Sequence, residues 1–257
     1  MIERGSRAVG RIDLATAGWQ RNEYGVDVLI LSADPVSGAV TLALRTPAGL
    51  RYPEKEHYYD CDQDLFQFAG EFHHDEELSF RQGDYVWRPA GTVYGRSEGS
   101  DGGIILASLG RKPARHHYDE YPGSWPGHHR IDRLWHVRPD PFVVRAGEKP
   151  WQPADLHVGI EVQLLRGQPG IRSDNAGASV HSPWGAEAAF LLRLPAGHAG
   201  DFPAWPGIVI EALVVDGRAR LGEVDWYRGC YGFDSLRGAC HVSAALTLYC
   251  RSFRRLP

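Results

Sequence analysis

A tandem repeat constrains this chain more than any other feature. Near the start, AGW leads into GVDVLILSADPVSGAVTLALRTPAG, which ends at Gly49. Later, KPW leads into VGIEVQLLRGQPG and AEAAFLLRLPAG, which ends at Gly197. Both copies read Trp, a β-rich run, a turn, a second β-rich run, then Leu-Arg-x-Pro-Ala-Gly. Each continues into an acid-led apolar strand that closes on glycine, DLFQFAG at 64–70 and EALVVDG at 211–217. Gly70 follows Gly49 by 21 positions and Gly217 follows Gly197 by 20. Gly49 and Gly197 stand 148 residues apart. A period of that length is a whole domain rather than a solenoid unit.

Within each copy the signals are those of strands. VDVLILSA, AVTLALRT, DLFQFAG, YVWRPAG and GIILASL are short, β-branched or aromatic, and bounded by turn residues. DPVSG at 34–38 reads as a hairpin turn. With 30 Gly, 17 Pro and a single Met, the chain punctuates itself often, and no convincing amphipathic helix runs beyond three turns. The sequence predicts an all-β protein of two similar barrels or sandwiches. The expected division is a first barrel over 1–112, a Pro/Gly/His-rich linker over 113–140, and a second barrel over 141–257.

Composition narrows the partners. A formal charge of −4 with no Lys/Arg stripe argues against nucleic acid or an acidic membrane surface. The N-terminus lacks an apolar signal region, and no apolar run is long enough to span a bilayer. The 4 cysteines (Cys61, Cys230, Cys240, Cys250) do not form a disulfide framework in a chain of 257 residues and read as reduced thiols of a cytoplasmic protein. Aromatic residues, 11% of the chain, provide surface for a homodimer, and monomer and dimer both remain open.

The chemistry concentrates in HYYDCDQDLFQFAG at 57–70. His57, x, Tyr59, x3, Gln63, x6, Gly70 is followed by Gly83, x5, Pro89, x, Gly91, x2, Tyr94. In these spacings the chain resembles the cupins, whose two motifs are usually written G-x5-H-x-H-x(3,4)-E-x6-G and G-x5-P-x-G-x2-H-x3-N. The stretch GEF…GDYVWRPAG…EGSDGGIILASL looks especially like the cupin domain of cupin-type (ChrR-like) anti-sigma factors. The resemblance implies two tandem cupin (double-stranded β-helix, jelly-roll) barrels. Those anti-sigma factors carry a helical sigma-binding segment ahead of the cupin; here the β-rich run begins by about residue 26, which leaves no room for one.

The departures from the motifs shape the functional expectation. Cupin metals usually take three His and one Glu. Here His57 stands alone at a matching position, and Tyr59, Gln63 and Tyr94 occupy the others. An amide oxygen is a weak ligand, and a phenol must first lose a proton whose ordinary pKa is near 10. No tightly bound cofactor is expected, only a weak or unusual divalent metal on His57, Tyr59, Gln63 and Tyr94. In the second copy Glu211 lies beside the carboxylate position and His241 matches the motif-two histidine. DFPAWPG replaces the His-x-His segment. Trp205, Glu211 and His241 either line a second pocket or belong to a packed structural barrel.

Strand alternation puts Gln63, Leu65, Gln67 and Ala69 on one face and His57 with Tyr59 on another. A barrel does not bury an imidazole, two phenols and two amides without partners. They satisfy one another, or they face a ligand. The leading expectation is a small-molecule enzyme doing metal-independent acid/base work: a cyclase, isomerase or dehydratase acting on an oxygenated metabolite, a type of chemistry some cupins perform in natural-product pathways. His57 is the expected base, Tyr59 and Tyr94 the donors, and Gln63 and Gln67 orient the substrate. A metal-dependent dioxygenase or hydrolase and a non-catalytic ligand-binding or sensory cupin are the alternatives. The pairs His73-His74, His116-His117 and His128-His129 read as solvated surface features.

Overall fold

The computed structural model describes residues 1–4, 10–51, 57–73, 79–90, 92, 94, 99–117, 143–154, 159–167, 188–202, 208–234 and 238–254. All regular structure among them is β-strand. None of it is a helix long and apolar enough to cross a membrane.

The chain forms two compact units, Gly18–Glu148 with a few N-terminal residues, and Lys149–Pro257 with Ser6–Ala17. Their sheets follow one antiparallel plan. In the first, Asp27–Ala33, Val40–Arg51, Gly99–Leu109, Gln63–His73, Tyr85–Arg88 and Val143–Val144 lie side by side. In the second the order is Glu161–Arg166, Ala188–Leu194, Ala239–Arg254, Ile208–Leu221, Cys230–Phe233 and Gly10–Asp13. Each sheet ends on a strand that precedes, in the sequence, the other copy's tryptophan. The expected division changes accordingly. Val143–Val144 pairs with Tyr85–Arg88 in the first unit, not in a span beginning at 141, and Gly10–Asp13 pairs with Cys230–Phe233 in the second. Arg115–His117 is a strand opposite His57–Tyr59, where only linker was expected. Most of the remaining linker lies outside the described residues, including Trp125, Trp135 and His128-His129.

The repeated letters hold equivalent contacts. The Arg45 guanidinium lies 4.7 Å from the Trp19 ring and donates to Asp27 at 2.9 and 3.0 Å. Arg193 lies 3.9 Å from Trp151 and donates to Glu161 at 3.2 Å. A tryptophan, an arginine and an acid thus make the same contacts in each copy. Asp27 also accepts from Arg21, and these arginines hold its carboxyl below the ordinary range. DPVSG is the hairpin turn expected: Asp34 accepts from the Val36 amide and the Ser37 hydroxyl, and Gly38 takes a φ of 71°.

The two interiors differ in chemistry. The second holds an apolar cluster, with Phe190, Leu192, Leu194, Val214 and Leu246 wholly buried and Phe202, Trp226 and Leu248 nearly so. The cysteines are buried and free. Burial pushes Cys61 and Cys240 up to about 11 and raises Cys230 and Cys250, so none is a ready nucleophile. The first barrel has an apolar cluster of Phe72, Phe80, Val86 and Ile105 on the same sheet face as Gln63 and Arg88. Where the second copy has Ile210, Ala212 and Val214, the first has Gln63, Leu65 and Gln67. The first lumen therefore keeps polar groups where the second keeps hydrocarbon.

Candidate functional site

Both sequence motifs converge on one cluster. His57 and Tyr94 form an isolated bridge, with each backbone N–H donating to the other's carbonyl at 2.9 and 3.0 Å. Their rings sit 4.4 Å apart, and Tyr59 lies 6.0 Å from His57 and 6.5 Å from Tyr94. The loops that arrange this are pinned by two acids. Asp62 accepts from the Ala90 amide at 2.8 Å, which fixes the turn after Tyr85–Arg88 against the first motif. Asp60 accepts from the Ala114 amide at 2.7 Å, which sets Arg115 opposite Tyr59.

Two arginines complete the cluster, and neither was anticipated from the sequence. Arg88 pairs across the sheet with Gln63 and donates to its Oε1 at 3.2 Å. Its guanidinium carbon lies 3.6 Å from the centre of the Tyr94 ring. Arg115 Nη2 lies 3.2 Å from His57 Nδ1. His57, Gln63, Arg88 and Tyr94 are buried, whereas Tyr59 and Arg115 are half-buried, so solvent reaches that side.

The Arg115 contact sets the role of His57. A guanidinium can only donate, so Nδ1 must accept and the neutral ring carries its proton on Nε2. In that tautomer Nε2 is a hydrogen-bond donor. A base role for His57 at Nε2 would need the other tautomer, with an N–H on Nδ1 facing Arg115.

The other expected residues are placed elsewhere. Gln67 is four residues further along the strand, about 13 Å at the usual rise per residue. Its amide donates to the Ala69 carbonyl at 2.8 Å, beside an enclosed space of about 10 Å³ lined by Leu65, Phe72, Phe80, Asp84, Val86 and Ile105. That is room for about one water. A register shift between Gln67 and Ala69 turns Ala69 off the expected face. Asp64 faces the opposite side of the sheet and takes the Tyr85 hydroxyl. Glu211 repeats that arrangement, accepting from Tyr231 at 2.7 Å and Arg251 at 2.9 Å. His241 is exposed on another strand, opposite Arg220 rather than Glu211, so the structure does not bring these two into one pocket. Trp205 lies outside the described residues. His73 Nε2 makes a surface hydrogen bond with Asp101 at 3.0 Å.

A family model described as the ChrR Cupin-like domain matches residues 8–112. The fold is a tandem cupin. Among solved structures, a Nostoc punctiforme protein proposed to be a dioxygenase superposes with a TM-score of 0.69 at 15% identity, over 97% of this chain and 84% of its own. Bacillus subtilis oxalate decarboxylase, solved at pH 4.6, gives 0.56 at 13% identity over 98% and 78%. Lactobacillus farciminis oxalate decarboxylase, solved with formate, gives 0.57 at 12% over 98% and 88%. No curated protein sequence matches the chain. At these identities the structural likeness establishes the fold.

Another structure of the Bacillus enzyme names Mn(II) centres, which poses the question of a metal here. The cupin positions of this chain do not fit one. Gln63 Oε1 already accepts from Arg88, His57 Nδ1 from Arg115, and the remaining two donors are phenols. Among the described residues no three His, Cys, Asp or Glu side chains come together to hold a metal ion.

Proposed function

We propose that the first barrel is the working site of a small-molecule enzyme that moves protons without a metal, of the cyclase, isomerase or dehydratase kind. The observation that carries this is the Arg115–His57 contact, which favours His57 Nε2 as a donor in a cluster with the rings of Tyr59 and Tyr94. Preorganised donors in a dry site stabilise an oxygen that gains negative charge in the transition state. They raise the acidity of a C–H next to a carbonyl, and the proton leaves to water on the half-buried side. In this reading the second barrel, with its apolar core, is structural. A dioxygenase or hydrolase reading, which the Nostoc neighbour invites, has only weak donors at the cupin positions, and among the described residues no three His, Cys, Asp or Glu side chains come together.

The test needs no prior substrate. A panel of enolisable ketones and keto acids is incubated with the protein in D₂O, and exchange next to the carbonyl is followed by NMR. Wild type is expected to speed exchange on at least one compound. His57→Phe is expected to lower that rate about 10²–10³-fold, as loss of one oxyanion donor does, with an unchanged circular dichroism spectrum. Exchange in His57→Phe equal to wild type would sink the proposal. No exchange on any compound, with binding retained, would make this a ligand-binding cupin, in line with the ChrR-type family model.

A further inference from the structure

We infer that the first barrel's site takes a carbonyl compound with an apolar body, an alkyl chain or aromatic ring that lies along the strand wall beside the polar cluster. This rests on the reading above and adds the substrate's class. The observation is a difference between the two copies at matching positions. In the first barrel Ala107 pairs with Leu42 and Leu65, and Ile105 with Leu44 and Gln67. In the second, Cys250 pairs with Phe190 and Ala212, and Leu248 with Leu192 and Val214. Cross-strand partners share a sheet face, so the two sets are the same patch of each barrel. The second set is closed. Phe190, Leu192, Val214 and Cys250 are wholly buried, and Ala212 and Leu248 expose 1%. In the first set Leu42, Leu44 and Leu65 are only half-buried. Beyond them on the next strand, Val28 opposite Leu44 is half-buried and Ile30 opposite Leu42 is 44% exposed.

This wall begins where the polar cluster ends. Leu65 follows Gln63 by two residues, about 7 Å along the strand, and shares its face. Val40, Leu109, Gln63 and Arg88 form one cross-strand row, and Leu42, Ala107, Leu65 and Val86 form the next. For a ligand whose oxygen meets the cluster, the second row is the adjoining apolar surface. Half-buried hydrocarbon is wetted at a cost, and a ligand of matching chemistry recovers that cost by covering it. The repeat shows that the fold itself does not demand the opening, since the second copy closes the same patch with its own side chains. The two ends of the site thus ask for two chemistries in one molecule, an oxygen that accepts hydrogen bonds and a hydrocarbon body next to it. Ketones with a long alkyl or aromatic substituent fit this best.

Isothermal titration of the full chain with neutral ketones tests the inference. The probes are acetone, 2-butanone, 2-hexanone and 2-octanone, with dihydroxyacetone as the polar control. Affinity is expected to rise about 2- to 4-fold per methylene, the gain from burying a CH₂ by half or wholly. Dihydroxyacetone should bind no better than acetone. Leu42→Phe, which copies Phe190 into the first barrel, should flatten that rise by occupying the wall. Leu42→Gln should flatten it by placing an amide there, and it keeps the test open if the added ring does not fit, which thermal melting would reveal. No saturable binding of 2-octanone, an affinity that does not grow with chain length, or growth that the folded variants leave intact would overturn the inference. So would a dimer that Leu42→Gln dissociates, because the wall would then belong to a second copy of this chain. The two proposals separate cleanly. Chain-length dependence without proton exchange upholds this one and refutes catalysis, whereas exchange equally fast on acetone and 2-octanone, with no gain in affinity, does the reverse.

Discussion

Gly217→Ala is expected to destabilise the second barrel by about 4 kcal/mol or more, the range in which backbone strain and steric overlap dominate a substitution. Gly217 has a φ of 87°, and a Cβ there would lie 1.9 Å from the Ala245 carbonyl oxygen. That oxygen belongs to the neighbouring strand, so relief requires the sheet itself to shift. Gly70 is its counterpart, with a φ of 72° and a Cβ position 1.8 Å from the Gly102 carbonyl oxygen. Gly70→Ala should therefore do the same to the first barrel. Gly18 supplies the control, since a Cβ there meets nothing within 4 Å, and Gly18→Ala should stay within about 0.5 kcal/mol of wild type. Urea denaturation followed by intrinsic fluorescence measures all three. Unchanged midpoints for Gly70→Ala and Gly217→Ala would contradict the sheet geometry at these positions.

The second large effect concerns Glu211. Glu211→Ala is expected to cost about 3–5 kcal/mol, because it removes one partner of a buried ion pair and leaves the other charge in place. The side chains of Glu211 and Arg251 are 3% and 8% exposed, with 2.9 Å between Oε1 and Nη1. Tyr231 donates to the second carboxylate oxygen, so its hydroxyl loses a partner as well. The double variant Glu211→Leu with Arg251→Met should recover much of the loss, because apolar groups of similar volume replace a pair whose desolvation is costly. A single variant as stable as wild type would refute this reading. So would a double variant less stable than Glu211→Ala.

The fold could be read in the letters because they repeat structural necessities. Leu-Arg-x-Pro-Ala-Gly recurs because Arg45 and Arg193 stack on Trp19 and Trp151 and bind Asp27 and Glu161. The closing glycines recur because a carbonyl passes where their side chains would be. Asp64 and Glu211 are the instructive case. Their shared position was legible, but it marks the sheet face where each takes a tyrosine hydroxyl, one residue away from the lumen-facing Gln63 and Ile210. Period-two alternation makes a neighbour in sequence a stranger in space.

The site was legible in part. Motif spacing brought His57, Tyr59, Gln63 and Tyr94 together, because turns at fixed intervals return the chain to one place. Arg88 was missed although it sits inside YVWRPAG, where alternation from Gln63's cross-strand partner would have placed it in the lumen. Arg115 was out of reach. It lies in a segment without periodicity, and only the pairing of Arg115–His117 with His57–Tyr59 delivers it to the imidazole. With it came the tautomer of His57, which no spacing encodes. The separation of Gln67 from the cluster follows from strand rise alone.

The most direct test of the central claim is metal binding by the purified, untagged chain. Elemental analysis would be made before and after chelation, followed by titration with Mn²⁺, Fe²⁺ and Zn²⁺. The expected result is trace metal that chelation removes and no saturable uptake. A stoichiometric metal that survives mild chelation, and is lost in His57→Phe, would contradict the account. It would make His57, Gln63 and the tyrosines ligands.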